Sequence, residues 1–227
     1  MTWTLHLGDC LEYLRTLPDG SVDAVVTDPP YGVGLHKQTT KHTVRMGGYD
    51  AFSDDETETI SLIKAAIPEC IRVAKCVLVT PGTRILFAYP RSDDIGTVFM
   101  PNGAGCGSWG FNGNNPILYY GKCPYLARGL GSRPNSVSAT SWYRRDNPEH
   151  PCEKPEKWMK WMVIRATVEE GATVLDPFAG SGTTGVAAIR MGRNFIGCEI
   201  SPEYHAIATR RLKEAEAADG LFAGGGT

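Results

Sequence analysis

Residues 173–186 read TVLDPFAGSGTTGV. The β-branched and apolar start predicts a buried strand over Thr173–Asp176, the small residues predict a turn, and residues 183–191 predict a helix. Gly180, Gly182 and Gly185 spell G-x-G-x-x-G literally. A side chain in such a turn would keep the backbone from approaching a ligand at the carboxyl edge of the strand. Residues 195–198 predict the next strand, and Glu199 ends it. That is close to the ~20-residue distance at which such folds set an acid on a ribose diol. Strand, loop, helix, strand and acid in this order point to an open α/β sheet that binds an adenosine-type cofactor. A Walker loop needs Gly-Lys-Ser/Thr, whereas Gly182 is followed by Thr183 and Thr184, so no lysine meets a phosphate. A dinucleotide fold needs a second half after this unit, and only a short stretch remains beyond Gly185. The loop therefore sits at the wrong end of the chain for a dehydrogenase, although a nicotinamide-dependent oxidoreductase stays open as the competing enzyme class.

Outward from the loop, the chain alternates strands and helices at both ends. Trp3–Leu7 predicts a strand, and Leu11, Tyr13, Leu14 and Leu17 mark a helix stopped by Pro18-Asp19-Gly20. Val22–Thr27 (VDAVVT) fits a buried parallel strand. Residues 57–74 carry a helical pattern, and residues 77–80 and 85–89 predict strands. Residues 150–167 predict a helix, and residues 202–218 an amphipathic one. Residues 219–227 are expected to form a flexible tail. Between these ends, residues 91–147 are rich in Gly, Asn, Pro and Ser, and only residues 117–120 predict a firm strand. Trp109, Phe111, Trp142 and Tyr143 within that stretch suggest an ordered, loop-built surface.

The 227 residues suffice for one domain with a sizeable core, so residues 1–227 are expected to form a single domain. No apolar run approaches the ~20 residues of a membrane span. The N-terminus lacks the basic start and apolar stretch of a secretion signal, so a cytoplasmic location is expected. Seven scattered cysteines without a C-x-x-C pair argue against a disulfide framework and a zinc ribbon, and no metal site is expected. The net charge of −2 carries no global signature of nucleic-acid binding, but its distribution is uneven. His36, Lys37, Lys41, His42 and Arg45 cluster in one stretch, and Lys122, Arg128, Arg133, Arg144 and Arg145 follow one another without an acid. Basic loops on a near-neutral body suit a protein that meets a polyanion on one face.

A second segment carries chemistry. Thr27-Asp28-Pro29-Pro30-Tyr31-Gly32 follows directly on the VDAVVT run. Two prolines fix the backbone without donating hydrogen bonds, so carbonyl oxygens there are free to accept. Asp28 adds an ionised acceptor at neutral pH, and Tyr31 adds a flat aromatic face. Acceptors beside a stacking face suit a planar ring bearing an amino group.

With the glycine loop, this segment resembles the DNA amino-methyltransferases, which modify the exocyclic nitrogen of adenine or cytosine with S-adenosyl-L-methionine. The resemblance covers nearly the whole chain. It rests on D-P-P-Y at residues 28–31, F-x-G-x-G at residues 178–182, H-P-x-x-K-P at residues 150–155 and the opening Leu7-Gly8-Asp9. The catalytic segment precedes the cofactor loop, which is the circularly permuted order of the β class. The resemblance implies a Rossmann-like methyltransferase fold with a mostly parallel seven-stranded sheet and a small loop-rich insertion. It also implies that the N-terminal strand completes the sheet beside residues 195–198.

The resemblance further implies base flipping into a pocket formed by Asp28, Pro29, Pro30 and Tyr31. Glu199 is expected on the ribose hydroxyls and Asp9 on the adenine amine. Phe178, Gly180 and Gly182 should line the methionine and ribose, with Lys154 and Pro155 closing the methionine side. Asp176 is expected to orient the loop or to reach the cofactor amine. The position of Asp9 also suits a helix N-cap, and both roles are compatible. No covalent intermediate is needed, so Cys10 and Cys198 are expected to be packing residues. Family members with Asp first in the tetrapeptide mostly methylate adenine and those with Ser mostly cytosine, so Asp28 favours adenine N6, with cytosine N4 as the alternative. Double-stranded DNA is the expected partner, read by residues 32–53 and 91–147 with Arg128, Arg133, Arg144 and Arg145 on phosphates or bases. A homodimer, a cognate restriction endonuclease and a non-catalytic DNA-binding relative stay open.

Overall fold

The computed structural model describes residues 1–33, 55–100, 106–107, 109–138 and 154–223. In chain order these form β1 (Trp3–Leu7), α1 (Cys10–Thr16), β2 (Val22–Thr27), α2 (Glu56–Val73), β3 (Ala74–Val79), β4 (Asp94–Phe99), β5 (Cys106–Gly107) and β6 (Gly110–Phe111). There follow β7 (Asn114–Gly121), α3 (Pro124–Ala127), β8 (Val137–Ser138), α4 (Glu156–Ala166), β9 (Thr173–Asp176), α5 (Thr183–Arg190), β10 (Asn194–Glu199) and α6 (Pro202–Ala223).

The VDAVVT run lies mid-sheet, between β9 and β3, both parallel to it. From Ala24 on, its side chains alternate between two cores. Ala24 and Val26 belong to the core shared with α4, α5 and α6 through Met159, Met162, Val186 and Leu212, whereas Val25, with Val22 at the strand's start, belongs to the core shared with α1 and α2 through Leu14, Ile63 and Ile67. A strand covered on both faces must be apolar throughout, and only Asp23 of β2 is not fully buried.

The sheet order among the described residues is β1-β10-β9-β2-β3-β7-β4-β8. The expected join is present: β1 runs parallel to β10, with Trp3 opposite Phe195 and Leu7 opposite Glu199. The chain's start therefore completes the sheet beside its last strand, as the permuted order requires.

The structure differs from the sequence-based expectations in several places. The sheet has eight strands rather than seven, the additional one being the two-residue β8 at an edge. Residues 85–89 form no strand, and a 3-10 turn occupies Leu86–Ala88. Ile85 and Tyr89 are buried four residues apart while Phe87 between them is exposed, so the burial does not alternate as a strand's would. Residues 91–147 are not built from loops alone, because β4 and β7 pair antiparallel along their length. Residues 150–153 lie outside the described residues, and α4 begins only at Glu156 with Pro155 as its cap. A residue before proline is pushed out of the helical region, which accounts for the helix starting only after Pro155. At the other end, α6 runs on to Ala223, past the expected stop at residue 218. Residues 224–227 lie outside the described residues. No helix among the described residues is long and apolar enough to cross a membrane.

Candidate active site

Parallel strands present their carboxyl ends at one edge, and the crevice there is where such sheets bind ligands. β2 and β9 are neighbours, so the D-P-P-Y segment after β2 and the glycine loop after β9 emerge side by side. The hydroxyl of Thr27 donates to Asp176 Oδ1 at 2.6 Å and ties the two strand ends together.

Asp176 is 2% exposed and also accepts the amide of Phe178 at 3.0 Å. Burial raises its carboxyl from the usual 3.8 to about 6, against the opposing pull of its bonds to Thr184, Thr27 and Phe178. Of its two expected roles, orientation of the loop is visible. Gly182 caps α5 with φ +80°, a left-handed conformation that a side chain would strain. Gly185 serves packing instead: an added Cβ would lie 2.5 Å from Leu212 Cδ2 and 2.6 Å from Phe195 Cε1.

Glu199 holds the loop from the next strand. Its two carboxylate oxygens accept the amides of Gly180 and Ser201, each at 2.8 Å. Burial raises its pKa, while those amides and that of Ile200 oppose the rise. A carboxylate has about four acceptor positions, so two amides leave capacity for a further donor. Asp9 is the N-cap of α1, accepting Leu11 N at 2.6 Å, and it sits at the carboxyl end of β1 where Gly8 N donates to Glu199 O. Phe178 and Gly180 are half-buried in the loop. Arg211 of α6, which sequence reasoning missed, is buried and clamps the same loop through Ser181 O and Oγ, both at 2.7 Å.

On the other strand end, Pro29 is buried and Pro30 half-buried, and Asp28 gathers three donors. The hydroxyls of Tyr31 and Thr80 both donate to Oδ1, and Lys154 Nζ lies 2.8 Å from Oδ2. Thr80 follows β3, whose pairing with β2 brings it beside Thr27. It carried no local signal in the sequence, being one threonine at a strand end. Tyr31 packs against Gly82, where a Cβ would lie 2.9 Å from the ring. Burial and the Asp28 charge push the Tyr31 phenol above its ordinary value, so it stays a donor.

Lys154, expected to close the methionine side of the cofactor, has its ammonium beside Asp28 and Tyr31. Its side chain is 9% exposed, and Nζ lies 4.7 Å from the centre of the Tyr31 ring. Burial alone would push the ammonium down, but Asp28 and Tyr31 outweigh it and hold the pKa above the ordinary lysine value.

The arginines divide. Arg144 and Arg145 lie outside the described residues. Arg128 pairs with Glu169, and its charge also acts on Asp23 near the start of β2. Arg133 stacks on Tyr125, 5.1 Å from the ring centre, and the Tyr125 hydroxyl donates to Ile164 O near the end of α4. At about 3.3 Å per residue, the stretch from Asp23 to Asp28 spans roughly 16 Å. Arg128 and Arg133 therefore sit toward the opposite edge of the sheet and are not brought to Asp28. Burial pushes the thiols of Cys10 and Cys76 up to about 12 and that of Cys198 up as well, which makes them poor nucleophiles.

A family model described as DNA methylase matches residues 88–210. Among curated proteins, the chain is 30% identical over 222 residues to the putative methylase YubD of Escherichia coli (strain K12), covering 93% of this chain and 90% of that one. It is 32% identical over 256 residues to the DNA adenine methyltransferase YhdJ of the same organism, covering 93% and 83%. Among solved structures, the M1.HpyAVI–SAM complex shares the fold with a TM-score of 0.64 at 21% identity, over 93% of this chain and 99% of that one. With the two strand ends joined as the permuted order predicts, these likenesses make the chain a member of the DNA methylase family.

Proposed function

We propose that this DNA methylase transfers a methyl group from S-adenosyl-L-methionine to the exocyclic N6 amino group of adenine in double-stranded DNA. The observation that carries the reading is the junction of the D-P-P-Y segment and the glycine loop at one sheet edge, fastened by the bond from Thr27 to Asp176. The loop's backbone suits an adenosyl group: Gly182 makes the left-handed turn into α5, and Glu199 is a buried acceptor bonded to the loop amide of Gly180. Asp28 as the first residue of the tetrapeptide and the likeness to a relative named as an adenine methyltransferase favour adenine.

When bound, S-adenosyl-L-methionine supplies an electrophilic methyl group on a sulfonium. The chain's residues do the rest. Flipping the base costs a few kcal/mol, and stacking on Tyr31 returns about 1–3 kcal/mol. The Asp28 carboxylate and the Pro29 carbonyl accept the amino hydrogens, which localises the nitrogen lone pair and aims it along the line of displacement. Transfer of the methyl group to the nitrogen would release S-adenosylhomocysteine, and the methylated nitrogen would pass its extra proton to water. The main contribution is proximity and orientation. Glu199, Asp9 and Phe178 bind the cofactor, and Asp176 sets the loop. Arg144 and Arg145 contact the DNA.

The test is tritiated methyl transfer to unmethylated duplex DNA by wild type and Asp28→Ala, followed by nucleoside analysis. Methyladenine that disappears in the variant is the expected result. Methylcytosine would move the target to cytosine N4, and failure to bind the cofactor would overturn the reading.

A further inference from the structure

A chain of hydrogen bonds runs from the glycine loop to the acceptor of the D-P-P-Y segment. The amide of Phe178 and the hydroxyl of Thr27 donate to Asp176 Oδ1, at 3.0 and 2.6 Å. The carbonyl of the same Thr27 accepts the amide of Thr80 at 3.1 Å. The hydroxyl of Thr80 then donates to Asp28 Oδ1. Thr27, Thr80 and Asp176 are 0%, 1% and 2% exposed, so these links are shielded from water. Thr80, one residue past the end of β3, thus joins two neighbouring strand ends to the carboxylate.

The oxygen that Thr80 holds also accepts the Tyr31 hydroxyl. Each carboxylate oxygen has about two acceptor positions, so the two hydroxyls fill Oδ1. Oδ2 meets Lys154 Nζ at 2.8 Å, one donor among the described residues, and retains a second position. The torsion that sets the plane of an aspartate carboxylate is broad, so Asp28 does not fix that plane by itself. Tyr31 is three residues away on the same segment and moves with it. Thr80 is the donor to Oδ1 that comes from another strand.

We infer that Thr80 is a positioning residue for methyl transfer: its hydroxyl fixes the plane of the Asp28 carboxylate so that Oδ2 receives the target amine, and its amide registers that carboxylate against the glycine loop through Thr27 and Asp176. The inference rests on the methyltransferase reading above and deepens it. In-line displacement requires the lone pair of the target nitrogen to point along the bond that breaks, and that direction is set by where the amino hydrogens are held. A carboxylate free to turn about its own axis would still accept a hydrogen but would hold the nitrogen at a spread of angles. Thr80 therefore acts on the rate of transfer and leaves binding of base and cofactor unchanged.

The test measures single-turnover methyl transfer by the full chain, with tritiated S-adenosyl-L-methionine and a duplex that the wild-type protein methylates, so that product release does not mask the chemical step. Thr80→Val keeps the shape and removes the hydroxyl. Its rate should fall roughly ten- to hundred-fold, the equivalent of one hydrogen bond to a charged group. Affinities for S-adenosylhomocysteine and for the duplex should be unchanged, and Thr80→Ser should transfer at close to the wild-type rate. Thr80→Ala gives the same reading should valine disturb folding. Because Thr27 and Thr80 belong to one chain of bonds, Thr27→Val/Thr80→Val should lose much less than the product of the two single losses. A valine variant as fast as wild type overturns the inference, as does a serine variant as slow as valine or a defect confined to DNA affinity. Losses that multiply in the double variant would also overturn it, by detaching Thr80 from the glycine loop. Absence of methyl transfer by wild type to any DNA would instead strike the proposed function itself.

Discussion

Thr27 Oγ1 donates to Asp176 Oδ1 across 2.6 Å, joining the last residue of the strand that leads into D-P-P-Y to the last residue of the strand that leads into the glycine loop. The two residues are 149 positions apart in the chain. Both are almost wholly buried, at 0% and 2% exposure, so the bond is shielded from water. Base and cofactor must meet within a fraction of an ångström for in-line transfer, and this bond sets the relative position of the two loops that hold them.

Replacing Thr27 by valine keeps the shape and removes the donor. Asp176 then keeps the Phe178 amide and Thr184 but leaves one acceptor unsatisfied, at a cost of about 1–3 kcal/mol. Chemical unfolding of Thr27→Val should show that loss, with Thr27→Ser close to wild type. A valine variant as stable as wild type would mean the bond does not form in solution.

Asp176 also gives the fold a pH dependence of definite sign. Burial raises its carboxyl from 3.8 to about 6, so between those values the folded protein binds more protons than the unfolded chain. The stability it contributes is fully present below pH 3.8 and is lost as pH rises through about 6. Glu199, also raised by burial, adds a component of the same sign. Unfolding measured from pH 4 to 7 should therefore show a falling component that Asp176→Asn diminishes. An identical pH profile for the variant would show that Asp176 titrates normally.

The two glycines of the loop should separate by cause. Gly185→Ala forces a methyl into Leu212 and Phe195, and overpacking of this kind costs about 1–3 kcal/mol. Gly182→Ala meets Ala208 Cβ at 3.0 Å and also strains a backbone held at φ +80° at the mouth of the loop. Thermal unfolding should show both as destabilised. Calorimetric titration with S-adenosylhomocysteine, at a temperature where both remain folded, should show weakened binding for Gly182→Ala alone.

What was legible in the sequence follows from where local pattern decides structure. β2 and β9 are apolar because both faces are covered, and the loop after β9 is small because α6 presses on it, so all three announce themselves. The pairing of β1 with β10 followed from motif order rather than from any property of the WTLHL stretch. β4 was invisible because its burial comes from partners distant in the chain. Gly96, which argues against a strand by propensity, is required there because a Cβ would lie 1.8 Å from Asn135 O. The strand-like ILFAY run failed for the reverse reason, since a short apolar run does not reveal its own period. The acceptors of D-P-P-Y are local and legible, whereas two of the donors that meet Asp28, Thr80 and Lys154, arrive from distant parts of the chain and left no local signal.

Glu199→Gln tests the cofactor side. The amide nitrogen it introduces would face either Gly180 N or Ser201 N, both of which now donate to a carboxylate oxygen. Charge-assisted bonds are worth about 1.5–3 kcal/mol, so affinity for S-adenosylhomocysteine should fall roughly ten- to hundred-fold. Unchanged affinity would remove Glu199 from the cofactor site.

The arginines offer a test of which face meets DNA. Arg128 pairs with Glu169 and Arg133 stacks on Tyr125, both toward the sheet edge away from Asp28. A phosphate would have to break those contacts and would then lie roughly 16 Å along the sheet from the base pocket. Each phosphate contact contributes about −0.9 to the slope of log K against log salt. Binding to duplex DNA should therefore lose salt dependence, by roughly two contacts' worth, in Arg144→Ala/Arg145→Ala. Arg128→Ala/Arg133→Ala should leave the slope unchanged. The opposite result would mean that the duplex reaches around to the amino edge of the sheet, and that the recognition surface includes α3 and the end of α4.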